Sequence, residues 1–142
     1  MLTAKDRQLV ALLRLNAREP VASLARKLGL SRSTVQDRLK RLEDRKLILG
    51  YDVRLAEDAA AGIEAFVTIE AEPQKIAAVI RALKRFSEID ELHSVSGKYD
   101  LVALIRASSA AELDAVLDRI GETTGITGTE SAVILSTKLE RR

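Results

Sequence analysis

The sequence predicts an α+β chain in two parts, a small helical bundle followed by a β-α-β-β-α-β domain. Two observations carry this expectation. Through residue 48 the apolar residues recur at helical spacing; from residue 63 they recur at every second position, and helical stripes then interrupt that alternation. Charge divides near the same place. Residues 1–54 hold 13 basic and 6 acidic side chains, net +7, while residues 55–142 hold 10 and 15, net −5. A basic half joined to an acidic half points the first half, and not the second, at a polyanion.

The elements follow in order. Leu2, Leu9, Leu12 and Leu13 form the apolar stripe of a first helix. Val21, Leu24, Ala25 and Leu28, at i, i+3, i+4, i+7, form that of a second, with Pro20 stopping chain entry before it. Gly29 stands where a helix leaves through a left-handed residue. Leu30 plugs the corner, and Ser31 stands at the N-cap of a third helix. That helix has its own stripe in Val35, Leu39 and Leu42. The rest of its surface is Arg32, Ser33, Gln36, Asp37, Arg38, Lys40, Arg41, Arg45 and Lys46, polar and mostly cationic.

This arrangement is a helix-turn-helix, whose second helix enters the major groove. A lone basic amphipathic helix is more often a solvated surface. Here the cap, the Gly turn, the Leu corner and two preceding stripes coincide, which favours duplex DNA as partner. Arg32, Ser33, Gln36 and Asp37 lie nearest the helix start and are the base-edge candidates. Arg38, Lys40 and Arg41 are candidates for phosphate or guanine. Thr34 shares the first turn, to contact DNA or to brace the turn. Arg38 has an internal alternative, an ion pair with Glu43 or a neighbouring acid.

Residues 48–55 (ILGYDVRL) read as a strand leaving the bundle, and residues 56–62 (AEDAAAG) as a small, polar linker. The expected division is therefore 1–50, a 51–62 linker strand and hinge, and 63–142. In the last part, Ile63, Ala65, Val67, Ile69 and Ala71 alternate with Glu64, Phe66, Thr68, Glu70 and Glu72 as a half-buried strand. Pro73 suits the first turn of a helix striped by Ile76, Val79, Ile80 and Leu83. Residues 89–96 and 99–107 read as two strands joined by Gly97 and Lys98, hence antiparallel. Ser109 and Glu112 carry capping-box spacing, opening a helix striped by Leu113, Val116, Leu117 and Ile120. After Gly121, Gly125 and Gly128 comes a last strand centred on residues 132–139. The order is the ferredoxin-like split βαβ unit. Two helices cover one face of its four-stranded antiparallel sheet. The other face needs a cover, for which a second copy is the expectation.

Composition narrows the function classes. A chain of 142 residues has room for two small domains. It has no Cys, so no disulfide framework, thiol nucleophile or thiolate metal site. That fits the cytoplasm, as does the lack of a membrane-spanning run or a signal-like start. Aromatic residues make up 3%, too few for a base-stacking platform. His93 is the single His, which leaves no convincing Ser/His/Asp set, and there is no Gly-rich phosphate loop. No enzyme, cofactor or metal is expected.

The whole chain resembles the Lrp/AsnC (feast/famine) regulators. The residues that carry the resemblance are Leu24-Ala25, Leu28-Gly29-Leu30-Ser31, Thr34-Val35, Arg38, Arg41-Leu42-Glu43, Ile48 and Gly50-Tyr51. In the second half they are Val95-Ser96-Gly97-Lys98-Tyr99-Asp100. The Ile-x-Gly-Tyr exit with a Ser-Gly-x-Tyr-Asp turn is the specific part. The resemblance implies a transcription regulator that dimerises and commonly assembles to an octamer. It also implies a small effector, usually an amino acid, bound in the C-terminal domain where dimers meet. The family's Gly-x-Tyr/Phe-Asp turn lines that pocket, which carries over to Gly97, Lys98, Tyr99 and Asp100, with Ser131, Ala132 and Val133 on the last strand.

Two positions depart from the family pattern. Lys98 stands where an acid is common, and Lys46 where Gly usually follows the recognition helix. An architectural DNA binder without effector, and a haem-pathway decarboxylase on the same scaffold, are the alternative readings. In the effector reading, Gly97 lets backbone N–H groups approach a carboxylate, Asp100 pairs with an ammonium, and Tyr99 walls the side chain. In the plain reading, Gly97 and Asp100 only make the turn.

Overall fold

The computed structural model describes residues 1–56 and 62–141. The chain divides into two compact units, Met1–Arg54 and Leu55–Glu140. The linker expected over 56–62 lies mostly outside the described residues.

The first unit holds helices α1 (Ala4–Leu15), α2 (Val21–Leu28) and α3 (Arg32–Asp44). Their stripes close on a core of Leu9, Leu24, Ala25, Leu28, Val35 and Leu42, edged by Leu2, Leu12, Leu13, Leu30 and Leu39. Each fully buried Leu contributes about 1.5–3 kcal/mol. A capping box starts α1. Thr3 Oγ1 accepts from the Asp6 amide at 3.1 Å and Asp6 Oδ2 accepts from the Thr3 amide at 3.0 Å. Gly29 ends α2 in the left-handed region at φ 67°, and Lys5 Nζ donates to the Leu28 carbonyl at 2.6 Å. Ser31 caps α3, its hydroxyl accepting from the Thr34 amide at 3.2 Å. After α3 the chain turns through Lys46, also left-handed at φ 58°, so that the Leu47 and Ile48 amides reach the Leu42 carbonyl.

The expected strand over 48–55 does not form. Residues 49–56 make no ladder, because the helical unit offers no sheet edge to pair with. Leu49, Tyr51, Val53 and Leu55 instead stand 87, 49, 82 and 61% exposed.

The second unit runs β1 (Ile63–Ala71), a 3-10 turn (Pro73–Lys75), α4 (Ile76–Leu83), β2 (Ile89–Ser94), β3 (Leu101–Ala107), α5 (Ala110–Gly121) and β4 (Ile126–Val133). The sheet order is β2-β3-β1-β4, antiparallel throughout. Ala65, Val67, Ile69 and Ala71 of β1 face inward with Leu101, Ala103 and Ile105 of β3. They meet Val79 and Leu83 of α4 and Leu113, Val116 and Ile120 of α5. Glu64, Phe66, Thr68 and Glu70 of β1, with Val102, Leu104 and Arg106 of β3, share the open face.

Three boundaries differ from expectation. The β2–β3 connection is six residues, 95–100, rather than Gly97 and Lys98 alone. Asp100 is drawn past the ladder to β1, its amide donating to the Ile69 carbonyl at 2.9 Å. The last strand is Ile126–Val133, earlier than 132–139. It pairs with β1, and β1 begins at Ile63, so the ladder ends near Val133, where the Ile134 amide donates to the Glu64 carbonyl. The capping box of α5 is displaced. Ser109 Oγ accepts from the Glu112 amide at 3.1 Å, but the Glu112 carboxylate accepts from the Ser108 amide at 2.8 Å, one residue early.

Candidate functional site

Two surfaces concern function, one on each unit. On α3, the eight DNA-binding candidates fall into two strips. Arg32, Ser33, Gln36, Asp37 and Lys40 (i, i+1, i+4, i+5, i+8) share one exposed face. Thr34, Arg38 and Arg41 (i, i+4, i+7) lie on another, toward the start of α1. There Arg38 Nη1 donates to Asp6 Oδ1 at 3.0 Å and to Thr3 Oγ1 at 3.2 Å, and Arg41 Nη2 lies 3.5 Å from Asp6 Oδ1. Thr34 Oγ1 shares a 2.7 Å hydrogen bond with the Ser31 hydroxyl. The partner of Arg38 is thus Asp6, not Glu43.

Asp6 is 2% exposed. Burial alone pushes its carboxyl up, but the Thr3 amide and hydroxyl and the Arg38 guanidinium outweigh it and hold the pKa at about 2. The sequence reading missed this residue. Its signal was Thr3-x-x-Asp6, a capping spacing that places a carboxylate at the foot of α3. Glu43 has a different partner. Burial, with Glu43's charge and hydrogen bond, raises the Tyr51 phenol above its ordinary value.

On the outward face of α3, Lys40 lies 3.3 Å from Asp44, and Ser33 shares a 3.2 Å bond with Ser31. Arg32 borders an open cavity of about 450 Å³ lined also by Ala22, Ala25, Arg26, Leu30 and Ser31. Two guanidiniums therefore flank the helix-turn-helix corner, beside the amide-rich start of α3.

On the second unit, the turn 95–100 closes through the Val95 amide on the Asp100 carbonyl, 3.1 Å. Gly97 takes φ 108°, a conformation side chains rarely adopt. Asp100 Oδ2 accepts from the Ala71 amide at 2.9 Å, so one oxygen of this carboxylate is committed to the end of β1. The Tyr99 hydroxyl donates to Glu130 of β4, and Lys98 Nζ stands 5.4 Å from the Tyr99 ring centre. That bond, then burial and the Glu130 charge, push the phenol above its ordinary value, against the opposing Lys98 ammonium.

Thr68, opposite Glu130 in the ladder, donates to the Glu130 carbonyl at 3.2 Å. Of the three β4 candidates, Ala132 pairs with Phe66 on the open face, beside Glu130. Ser131 and Val133 pair with Val67 and Ala65 and so project from the other face. Glu130 was not anticipated, because the misplaced last strand hid its register with Thr68. His93 lies exposed on β2, 3.6 Å from Glu91.

A three-helix unit with an outward polar strip and a sheet domain with a tethered Gly turn define a two-domain helix-turn-helix regulator of transcription. Residues 2–43 match the AsnC-type helix-turn-helix domain and residues 64–142 the Lrp/AsnC ligand binding domain. The chain belongs to the Lrp/AsnC family. It is 37% identical over 134 residues to the HTH-type transcriptional regulator LrpA of Mycobacterium tuberculosis, covering 93% of this chain and 89% of that one. It is 31% identical to LrpA of Pyrococcus horikoshii, over 95% of this chain and 97% of that one. Among solved structures, a feast or famine regulatory protein of M. tuberculosis complexed with L-methionine superposes with a TM-score of 0.87 at 35% identity. That match covers 100% of this chain and 97% of the other.

Proposed function

We propose that this regulator reads a specific duplex with the open strip of α3, and that an amino acid or related small metabolite held at residues 97–100 tunes that reading. The carrying observation is the sorting of α3. Arg32, Ser33, Gln36, Asp37 and Lys40 face solvent together, while Arg38 and Arg41 turn to Asp6. The first group suits base edges and phosphates, and the second fixes the angle at which the helix is presented. The effector class is supported by the L-methionine complex of the mycobacterial relative. In this reading the protein acts in the cytoplasm and catalyses no reaction.

The proposed working form is a homodimer, assembling further to an octamer. Its support is the exposed alternation of Leu49, Tyr51, Val53 and Leu55, and an open sheet face carrying Phe66 at 47% exposure. A twofold dimer requires pseudo-palindromic half-sites one helical turn apart or a multiple of it. An effector alters DNA binding only by favouring one assembly or conformation over another.

The test is fluorescence anisotropy on a duplex selected from a random pool. Gln36→Ala should weaken binding to the selected duplex by about 1–3 kcal/mol and leave random duplex unaffected. Equal losses on both would rule out base reading by Gln36. DNA affinity indifferent to all twenty amino acids would favour the architectural alternative.

A further inference from the structure

We propose that the cavity at the helix-turn-helix corner seats one backbone phosphate of the duplex, and that Arg26 of α2 is the anchor of that phosphate. Leu24 and Leu28 turn α2 into the core, whereas Ala22 and Arg26, one turn apart, share another face of the helix. That face and the start of α3 bound the open cavity of about 450 Å³, lined by Ala22, Ala25, Arg26, Leu30, Ser31 and Arg32. The lining carries two guanidiniums and no carboxylate, with the apolar side chains of Ala22, Ala25 and Leu30 between them. A phosphodiester is the complement of such a seat. It brings one negative charge on two free oxygens, the pattern that a guanidinium fork matches.

Two observations separate Arg26 from an ordinary surface cation. Among the described residues its guanidinium has no ion-pair or hydrogen-bond partner, and neither has that of Arg32. Lys27, the next residue, is paired with Glu19, which also accepts from the Ser23 hydroxyl at 2.7 Å. Both cations stand in the last turn of α2, where they complement the helix dipole, but the dipole does not require one of them to be left unpaired beside a cavity. The second observation is continuity with the DNA strip. Arg32 lines the cavity and also begins the outward strip of α3. In a helix-turn-helix the first helix crosses the backbone while the second enters the groove, so the strand edging the groove passes this corner. A phosphate contact carries no sequence information, but it fixes the register and orientation of the reading helix. Arg26 is therefore a positioning residue. This inference rests on the reading that the helix-turn-helix meets duplex DNA, and neither on base reading by Gln36 nor on an effector.

The experiment is fluorescence anisotropy of the full chain on the selected duplex and on random duplex, across a range of salt concentrations. Thermal melts check that each variant is folded. Arg26→Ala should lower affinity about tenfold on both duplexes, and should reduce the slope of log affinity against log salt by about one for each chain bound. Arg26→Lys should restore the slope, because the phosphate needs a cation. Ala22→Leu keeps the charge and fills the cavity, and should weaken both duplexes alike. Lys27→Ala removes the same charge from a paired position and should change the slope much less. An Arg26→Ala variant that binds like wild type would overturn the proposal, and so would one that loses only the selected duplex, which would make Arg26 a base reader. An Arg26→Lys slope that stays low, or a Lys27→Ala loss as large as that of Arg26→Ala, would reduce the effect to something other than a cation at this seat. Unchanged binding by Ala22→Leu would mean that the cavity is not the seat. Wild type that binds neither duplex would overturn the DNA reading and this inference with it, whereas the other failures overturn this inference alone.

Discussion

At the scale of residues, Asp6 and Lys46 each make a testable contribution to stability. Asp6 titrates at about 2 in the fold against an ordinary 3.8, so its charged form is favoured by folding. That contribution is complete above about pH 5 and is lost as pH falls through 2. Asp6→Asn should therefore cost about 2 kcal/mol at pH 7, with the gap to wild type closing near pH 2, as read by urea denaturation across pH. A gap independent of pH would mean that the carboxylate charge is not what holds Arg38.

Lys46 is the single non-glycine at positive φ among the described residues. Lys46→Gly should raise stability by about 1 kcal/mol in the same assay, because the left-handed strain disappears. Lys46 was legible in the sequence as an oddity, since the family pattern has Gly there. Asp6 was legible only as a capping partner of Thr3, since its tie to Arg38 depends on α1 and α3 meeting, which spacing along one helix does not reveal.

At the scale of elements, apolar periodicity located both helices and the first three strands of the second unit, and pairing decided where they stop. Spacing placed β4 too late, because Val133, Leu135 and Leu139 look like strand residues. Only the start of β1 at Ile63 determines that the ladder ends near Val133. The same dependence hid Glu130. Conversely, residues 48–55 have a strand's pattern and form no ladder, because the helical unit they leave offers no sheet edge. The return to β4 depends on Gly125, at φ 99°, where a Cβ would come within 2.9 Å of Lys75 Cβ and Val79 Cγ2. Gly125→Ala should destabilise the second unit by about 2 kcal/mol or more, through strain and overlap with α4, lowering its melting temperature. An unchanged melt would mean that the turn can reroute.

At the scale of the whole molecule, the effector is the test of the second unit. In a thermal-shift series against the twenty amino acids, a ligand at about 100 times its dissociation constant should add about 2.7 kcal/mol. Lys98→Ala, an exposed change that leaves the Asp100 tie to Ala71 intact, should weaken that ligand without altering the melt of the free protein. The charge change between residues 1–54 and 55–142 was readable from composition, and it falls where the two compact units divide, a few residues past the expected end of the first part at 50. The layout of the 95–100 turn was not readable, since it is set by hydrogen bonds from β1 and β4. The sorting of α3 has one more consequence. In the proposed reading, the groups that hold the helix in place and the groups that meet DNA share no side chain, which makes the outward strip an exchangeable cassette. On that reading Arg32, Gln36, Asp37 and Lys40 could be replaced together to retarget the protein to a new operator with the Asp6–Arg38 tie intact.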